Sequence, residues 1–173
     1  ALSQSYAPVI KKSIMQDLRI QFFENLINLA EKDKQIIFLT GDLGYSKFEK
    51  FRDKFPKQFI NCGCMEQGMV GLAAGLALAG KKPYVYSTAP FLLFRALEQI
   101  RDDVCYQNLN VKIVGTSASG FLGWSHNLEG TENEEDILKN FPNLQRYYPR
   151  NENDLKAMMR ESHKSKKPSY IKI

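Results

Sequence analysis

Residues 60–86 read INCGCMEQGMVGLAAGLALAGKKPYVY, and the order of signals within them decides the fold. The strand-like run QFINC (58–62) leads into helical spacing over 66–80, and PYVYST (83–88) then returns to a strand. A strand, a helix and a strand joined by short connections make a crossover unit, which sets the two strands parallel. The apolar stretch 69–79 is well below the ~20 residues that a membrane-spanning helix takes, so it reads as a docked helix and no membrane association is expected.

Working outward, Ile14, Leu18, Phe22, Leu26 and Leu29 recur every three or four residues and predict an amphipathic helix over 11–33. IIFLT (36–40) reads as a fully buried strand, GDLGYS (41–46) as a turn, and KFEKFRDKF (47–55) as a short helix with Phe48, Phe51 and Phe55 on its apolar side. On the other side, 91–107 reads as one helix and VKIVGT (111–116) as a buried strand. NEEDILKNF (133–141) then reads as a helix, LQRYY (144–148) as a strand, NENDLKAMMRESHK (151–164) as a helix with an Asn or Asp cap, and SYIKI (169–173) as a last strand. This alternation predicts a three-layer α/β/α fold around a mainly parallel sheet. It is expected as a single domain over 1–173, with 1–10 an irregular extension.

The chain is 43% hydrophobic and 25% charged, the profile of a folded globular protein. Its 24 Lys and Arg exceed 19 Asp and Glu, and the excess gathers toward the ends, at Lys11 and Lys12 and in HKSKKP (163–168), as a solvated rim. Phe and Tyr occupy core-like positions instead of interleaving with the basic residues, so a nucleic-acid partner is not expected. Three cysteines, Cys62, Cys64 and Cys105, predict buried, unpaired thiols in a reducing, cytoplasmic compartment. Cys62 and Cys64, even with His126, lack the spacing of a zinc site, and no metal site is expected in the chain.

Gly68, Gly71, Gly75 and Ala79 fall at steps of three and four, so one face of the 66–80 helix carries almost no side chain. Each glycine costs a helix about 1 kcal/mol, which a close contact must offset, either with the helix's own sheet or with another chain. Glu66 opens the helix, where a carboxylate suits the helix dipole and can serve as an ordinary cap. It also follows the carboxyl end of a buried strand, the place where open parallel sheets receive ligands. From periodicity alone, both a cap and a ligand-facing acid remain open.

The stretch from FINCGCMEQGMVGLAAGLALAGKKPYVY through STAPFLLFRALEQIRDDVCYQNLNVKIVG (59–115) resembles the pyrimidine-binding domain of thiamine-diphosphate enzymes, especially the transketolase and deoxyxylulose-phosphate synthase branch. Glutamate, small-residue helix, strand, aromatic helix and strand follow in that order. FLTGDLGYS (38–46) looks like the family's Asp-Leu-Gly-x-Ser turn, and PSYIKI (168–173) like its closing strand. The resemblance implies that Glu66 hydrogen-bonds N1′ of the cofactor's aminopyrimidine and so favours the tautomer that removes the thiazolium C2 proton. It implies that Phe91, Phe94 and Leu97 wall the pyrimidine, with Phe94 the stacking ring; Leu97 stands where many transketolases carry tyrosine. A family Gly-Pro-Thr-His stretch becomes Gly123-Trp124-Ser125-His126, so His126 is the implied substrate contact or proton shuttle, weighed against an exposed loop histidine. Trp124 and the acidic run 129–136 imply a reshaped pocket.

The Gly-Asp-Gly motif and downstream Asn with which the family holds the diphosphate and Mg²⁺ do not occur in the sequence. The resemblance therefore implies a diphosphate-binding partner subunit, arranged with this one as an α2β2 heterotetramer, or a chain that is part of a longer one. The implied reaction is transfer of a two-carbon ketol unit from a sugar or keto donor to an aldehyde. Alternatives are a subunit of a 2-oxo acid decarboxylase or dehydrogenase, and a non-catalytic binding or regulatory relic of the fold. A dinucleotide-binding reading would need Gly-x-Gly-x-x-Gly after the first strand, where the chain has TGDLGYS.

Overall fold

A computed structural model describes residues 17–116 and 134–173. Six strands form one parallel sheet in the order β2-β1-β3-β4-β6-β5: β1 (Ile36–Thr40), β2 (Phe59–Asn61), β3 (Lys82–Thr88), β4 (Lys112–Thr116), β5 (Gln145–Tyr147) and β6 (Ser169–Lys172). Phe38 pairs with Phe59 on one side and Tyr84 on the other, which fixes β1 between β2 and β3. The chain leaves β1 toward β2 and later returns to add β3 on the opposite flank. The carboxyl ends of β1 and β3 therefore border the crevice where the winding reverses, the usual ligand position in such sheets.

The helices are α1 (Arg19–Ala30), α2 (Glu49–Lys54), α3 (Glu66–Leu78), α4 (Glu134–Leu138) and α5 (Glu152–Lys164). Alternation along β1 assigns them to faces. Ile36 and Phe38 join Phe22, Phe23, Phe51, Tyr84, Tyr86, Leu155 and Met159 in an aromatic core under α1, α2 and α5. Ile37 and Leu39 join Met69, Val70, Ala73, Val85, Leu92 and Ile113 in an aliphatic core under α3 and the segment after it. Burial of both sheet faces explains why the strands read as continuous apolar runs. Asn151 caps α5, its side chain accepting from the Asp154 backbone N–H at 2.9 Å, as the sequence predicts.

The stretch read as one α-helix over 91–107 is instead two π-helical segments, Phe91–Arg95 and Gln99–Tyr106, broken at Ala96 (φ −118°, ψ 24°). The wider turn takes an extra residue, so positions three apart no longer share a face. Phe91 is half-buried while Phe94 and Leu97 face outward.

Two other features depart from expectation. Cys105 is buried, with its thiol pushed up to about 12 by desolvation, and Cys62 is half-buried, but Cys64 is exposed because it lies beyond β2 in the loop entering α3. Lys112, inside a strand-like run, is fully buried; its Nζ donates to the carbonyls of Ser165 (3.1 Å) and Lys167 (2.9 Å), pinning the turn between α5 and β6. Burial, with Lys82 nearby, brings its ammonium down to about 7.

Gly115 in β4 lies beneath the buried Tyr170 ring, and a Cβ there would come 2.2 Å from the hydroxyl and 2.8 Å from Cζ. Gly115→Ala is expected to destabilise the protein by about 1–3 kcal/mol, because a ring closed in on all sides has no free rotamer to retreat to. A fall in the urea midpoint at unchanged slope is the result that would show it. Among the described residues, no helix is long and apolar enough to cross a membrane.

Candidate active site

The site begins where β1 ends. Thr40 Oγ1 donates to the Leu43 carbonyl at 2.6 Å and turns the chain, and Asp42, Gly44 and Ser46 all take positive φ. At Gly44 (φ 92°) a Cβ would also meet Tyr86 at 2.9 Å, so conformation and space both require glycine. Asp42 accepts from Tyr45 and, at 2.9 Å, from Asn61, and these bonds hold its carboxyl below the usual range. The loop is thereby fastened to the end of β2.

Glu66, in the first turn of α3, is 2% exposed. Its carboxylate reaches across the crevice to β3, where Ser87 Oγ donates to Oε1 at 3.1 Å in a fully buried contact. Arg95 Nη1 donates to Oε2, also at 3.1 Å, and the guanidinium carbon lies 3.7 Å from the centre of the Phe91 ring. Gly41 completes the surround, because a side chain there would stand 3.4 Å from Oε1 and 3.5 Å from Ser87 Oγ. A buried acid, a hydroxyl donor, a planar cation and an aromatic face thus converge at the carboxyl ends of β1 and β3.

A shallow hollow of about 600 Å³ opens over this cluster, lined by Cys64, Met65, Glu66, Gln67, Gly68 and Arg95. A neighbouring one of about 430 Å³ is bordered by Gln67, Phe94, Leu97, Glu98 and Asp102, again with Arg95. Glu66 and Phe91 are brought together through Arg95, whereas Phe94 (52% exposed) and Leu97 (36%) lie at the outer hollow. His126 and Trp124 lie outside the described residues. Arg95 and Ser87 carry no signal in the sequence, since each is distant in the chain from Glu66, and Gly41 is legible there only as the first residue of the GDLGYS turn.

The glycine stripe of α3 faces away from the sheet. Met69, Val70, Ala73 and Ala74 pack inward, while a Cβ on Gly71 or Gly75 would meet nothing within 4 Å. Close packing on its own sheet therefore does not account for these glycines. Leu72 (43% exposed) and Leu78 (68%) stand on the same outward side.

Residues 15–173 match the family of transketolase pyrimidine-binding domains. A subunit of the apulose-4-phosphate transketolase of Phocaeicola vulgatus is 34% identical over 159 residues, covering 90% of this chain and 50% of that protein. The 1-deoxy-D-xylulose-5-phosphate synthase of Listeria monocytogenes is 37% identical over 137 residues, or 78% of this chain and 22% of that one. Among solved structures, a split-gene transketolase described as an inactive β4 tetramer superposes with a TM-score of 0.78 at 34% identity, covering 89% of this chain and 49% of that one. The chain thus spans about half the length of the transketolase relatives it matches, or less.

Proposed function

The chain belongs to the transketolase pyrimidine-binding domain family, and from that premise we propose that it is the pyrimidine-binding subunit of a heteromeric thiamine-diphosphate-dependent enzyme. Its reaction is transfer of a two-carbon ketol unit from a sugar or keto donor to an aldehyde. The observation that carries this reading is Glu66: a carboxylate 2% exposed, at the switch point of a parallel sheet, held by Ser87 and reached from a hollow.

The residues suit the cofactor's aminopyrimidine. One carboxylate oxygen is oriented by Ser87, the other is paired with a planar nitrogen donor that lies against Phe91, and Gly41 leaves the space clear. These are the acid, the ring face and the room that an aminopyrimidine calls for. Thiamine diphosphate, when bound, supplies the nucleophilic carbon and the electron sink. Glu66 holds or gives a proton at its carboxyl oxygen, Ser87 fixes the carboxyl plane, and burial at the first turn of α3 keeps water from competing for that proton.

In this reading Phe91 is the ring face beside Glu66, while the family resemblance alone assigns Phe94 and Leu97, at the outer hollow, to the pyrimidine wall and His126 to the substrate. The diphosphate and Mg²⁺ belong to a partner subunit, in an α2β2 assembly closed across the outward face of α3 and the aromatic segment. Three unpaired cysteines fit a cytoplasmic setting.

Reconstitution with a diphosphate-binding subunit, thiamine diphosphate and Mg²⁺ tests the proposal. Ketose formation from an aldehyde acceptor is expected. Release of CO₂ from a 2-oxo acid without ketose formation would assign the chain to the decarboxylating branch instead, and cofactor binding without turnover of either kind would make it a relic.

A further inference from the structure

On the reading that an aminopyrimidine engages Glu66, we propose that Arg95 is a built-in placeholder for that ring. Its guanidinium fills the room between Glu66 and Phe91, so cofactor loading is an exchange in which Arg95 is displaced. The guanidinium is planar, delocalised and an N–H donor, as an aminopyrimidine is, and it donates to Glu66 Oε2 at 3.1 Å while lying 3.7 Å from the Phe91 ring centre. Two planar groups cannot share that slot. The pairing is also asymmetric, the Glu66 side chain being 2% exposed and that of Arg95 43%, so the acid is fixed in the protein and the arginine has a way out.

The way out has a destination. Arg95 also borders the outer hollow, which Glu98, three residues further along the chain and beyond the break at Ala96, lines as well. Glu98 makes no ion pair among the described residues, while Asp102 in the same hollow is already held by Arg101 at 2.6 Å. Arg95 thus has two acids to choose between: Glu66 inside the slot and Glu98 outside it. With Glu66, it gives a buried carboxylate the partner that such a charge requires. With Glu98, it vacates the slot and leaves Glu66 to the incoming ring.

Competition of this kind raises the apparent dissociation constant in inverse proportion to the fraction of molecules in which the slot is open. Removing the competitor must therefore tighten binding even as it removes a stabilising pair, a combination that an ordinary structural arginine does not produce. The test uses the reconstituted complex titrated calorimetrically with thiamine diphosphate in Mg²⁺, alongside thermal unfolding of the full chain by itself. Arg95→Met is expected to tighten cofactor binding about tenfold and to lower the unfolding temperature of the chain. Arg95→Lys, which keeps the charge without the planar fork, falls between Met and wild type on both measures and remains informative if the Met variant does not fold. Glu98→Gln weakens cofactor binding and leaves the unfolding temperature unchanged.

Weaker or unchanged binding in both Arg95 variants would overturn the placeholder, making Arg95 a cofactor contact or a purely structural residue. Failure of the wild-type complex to bind thiamine diphosphate would instead overturn the functional reading on which the exchange rests.

Discussion

Glu66→Gln in the reconstituted complex is expected to lower turnover by about 100- to 10,000-fold, the range over which a positioned proton-transferring group contributes to catalysis. Glutamine keeps the shape of glutamate, and its carbonyl still accepts from Ser87 Oγ, which lies 3.1 Å from Oε1. What it loses is the ability to carry a proton. The loss should therefore fall on kcat, with secondary structure by circular dichroism and association with the partner retained. Stability is a useful second reading. The substitution removes a buried charge but leaves the Arg95 guanidinium, 43% exposed, able to turn to solvent or to Glu98, so the unfolding temperature should move little. Turnover within threefold of wild type would end the assignment of Glu66 as the proton-handling residue.

The second large effect is expected from two positions remote from the proton. Gly71→Ala and Gly75→Ala add methyl groups on the outward face of α3, where nothing lies within 4 Å in this chain. Helix propensity alone should then stabilise the chain, by up to about 1 kcal/mol at each site. If that face is where a partner backbone approaches, the same methyl groups are overpacked in the complex at about 1–3 kcal/mol each, and assembly weakens by roughly 30-fold or more for the pair. A higher unfolding temperature together with a weaker association constant by sedimentation is a signature that no defect within the chain imitates. Unchanged association would move the interface elsewhere on the surface.

Much of the fold is legible in the sequence because its strands are buried on both sides. IIFLT, PYVYST and VKIVGT are apolar enough, and separated by enough helical spacing, to specify parallel neighbours without knowledge of their order. Glu66 is visible for a similar reason, as a charge at the border between a strand and a run of small residues. The π-helical turns at Phe91–Arg95 and Gln99–Tyr106 are not legible, since apolar spacing over 91–107 suits an α-helix as well and the register is settled by what the segment packs against. Arg95 escapes sequence reading because its partner stands 29 residues earlier in the chain, and spacing within 91–107 says nothing of what lies across the crevice. The burial of Lys112 is hidden as well, because the carbonyls that receive its ammonium belong to the turn at Ser165 and Lys167, more than fifty residues downstream.

The contrast between the two cores has a mechanical consequence. Behind the sheet, interlocked rings such as Phe23, Phe51 and Tyr86, with centroids 5.3 to 5.8 Å from that of Phe38, form a stiff backing plate. In front, α3 and the π-helical turns rest on alanine, valine and leucine, whose smooth contours let helices slide by fractions of an ångström at small cost. Adjustment to a ligand is thus expected in the layer of α3 and the π-helical turns, while the strand ends that aim Ser87 and the Gly41 loop keep their bearings against the aromatic one.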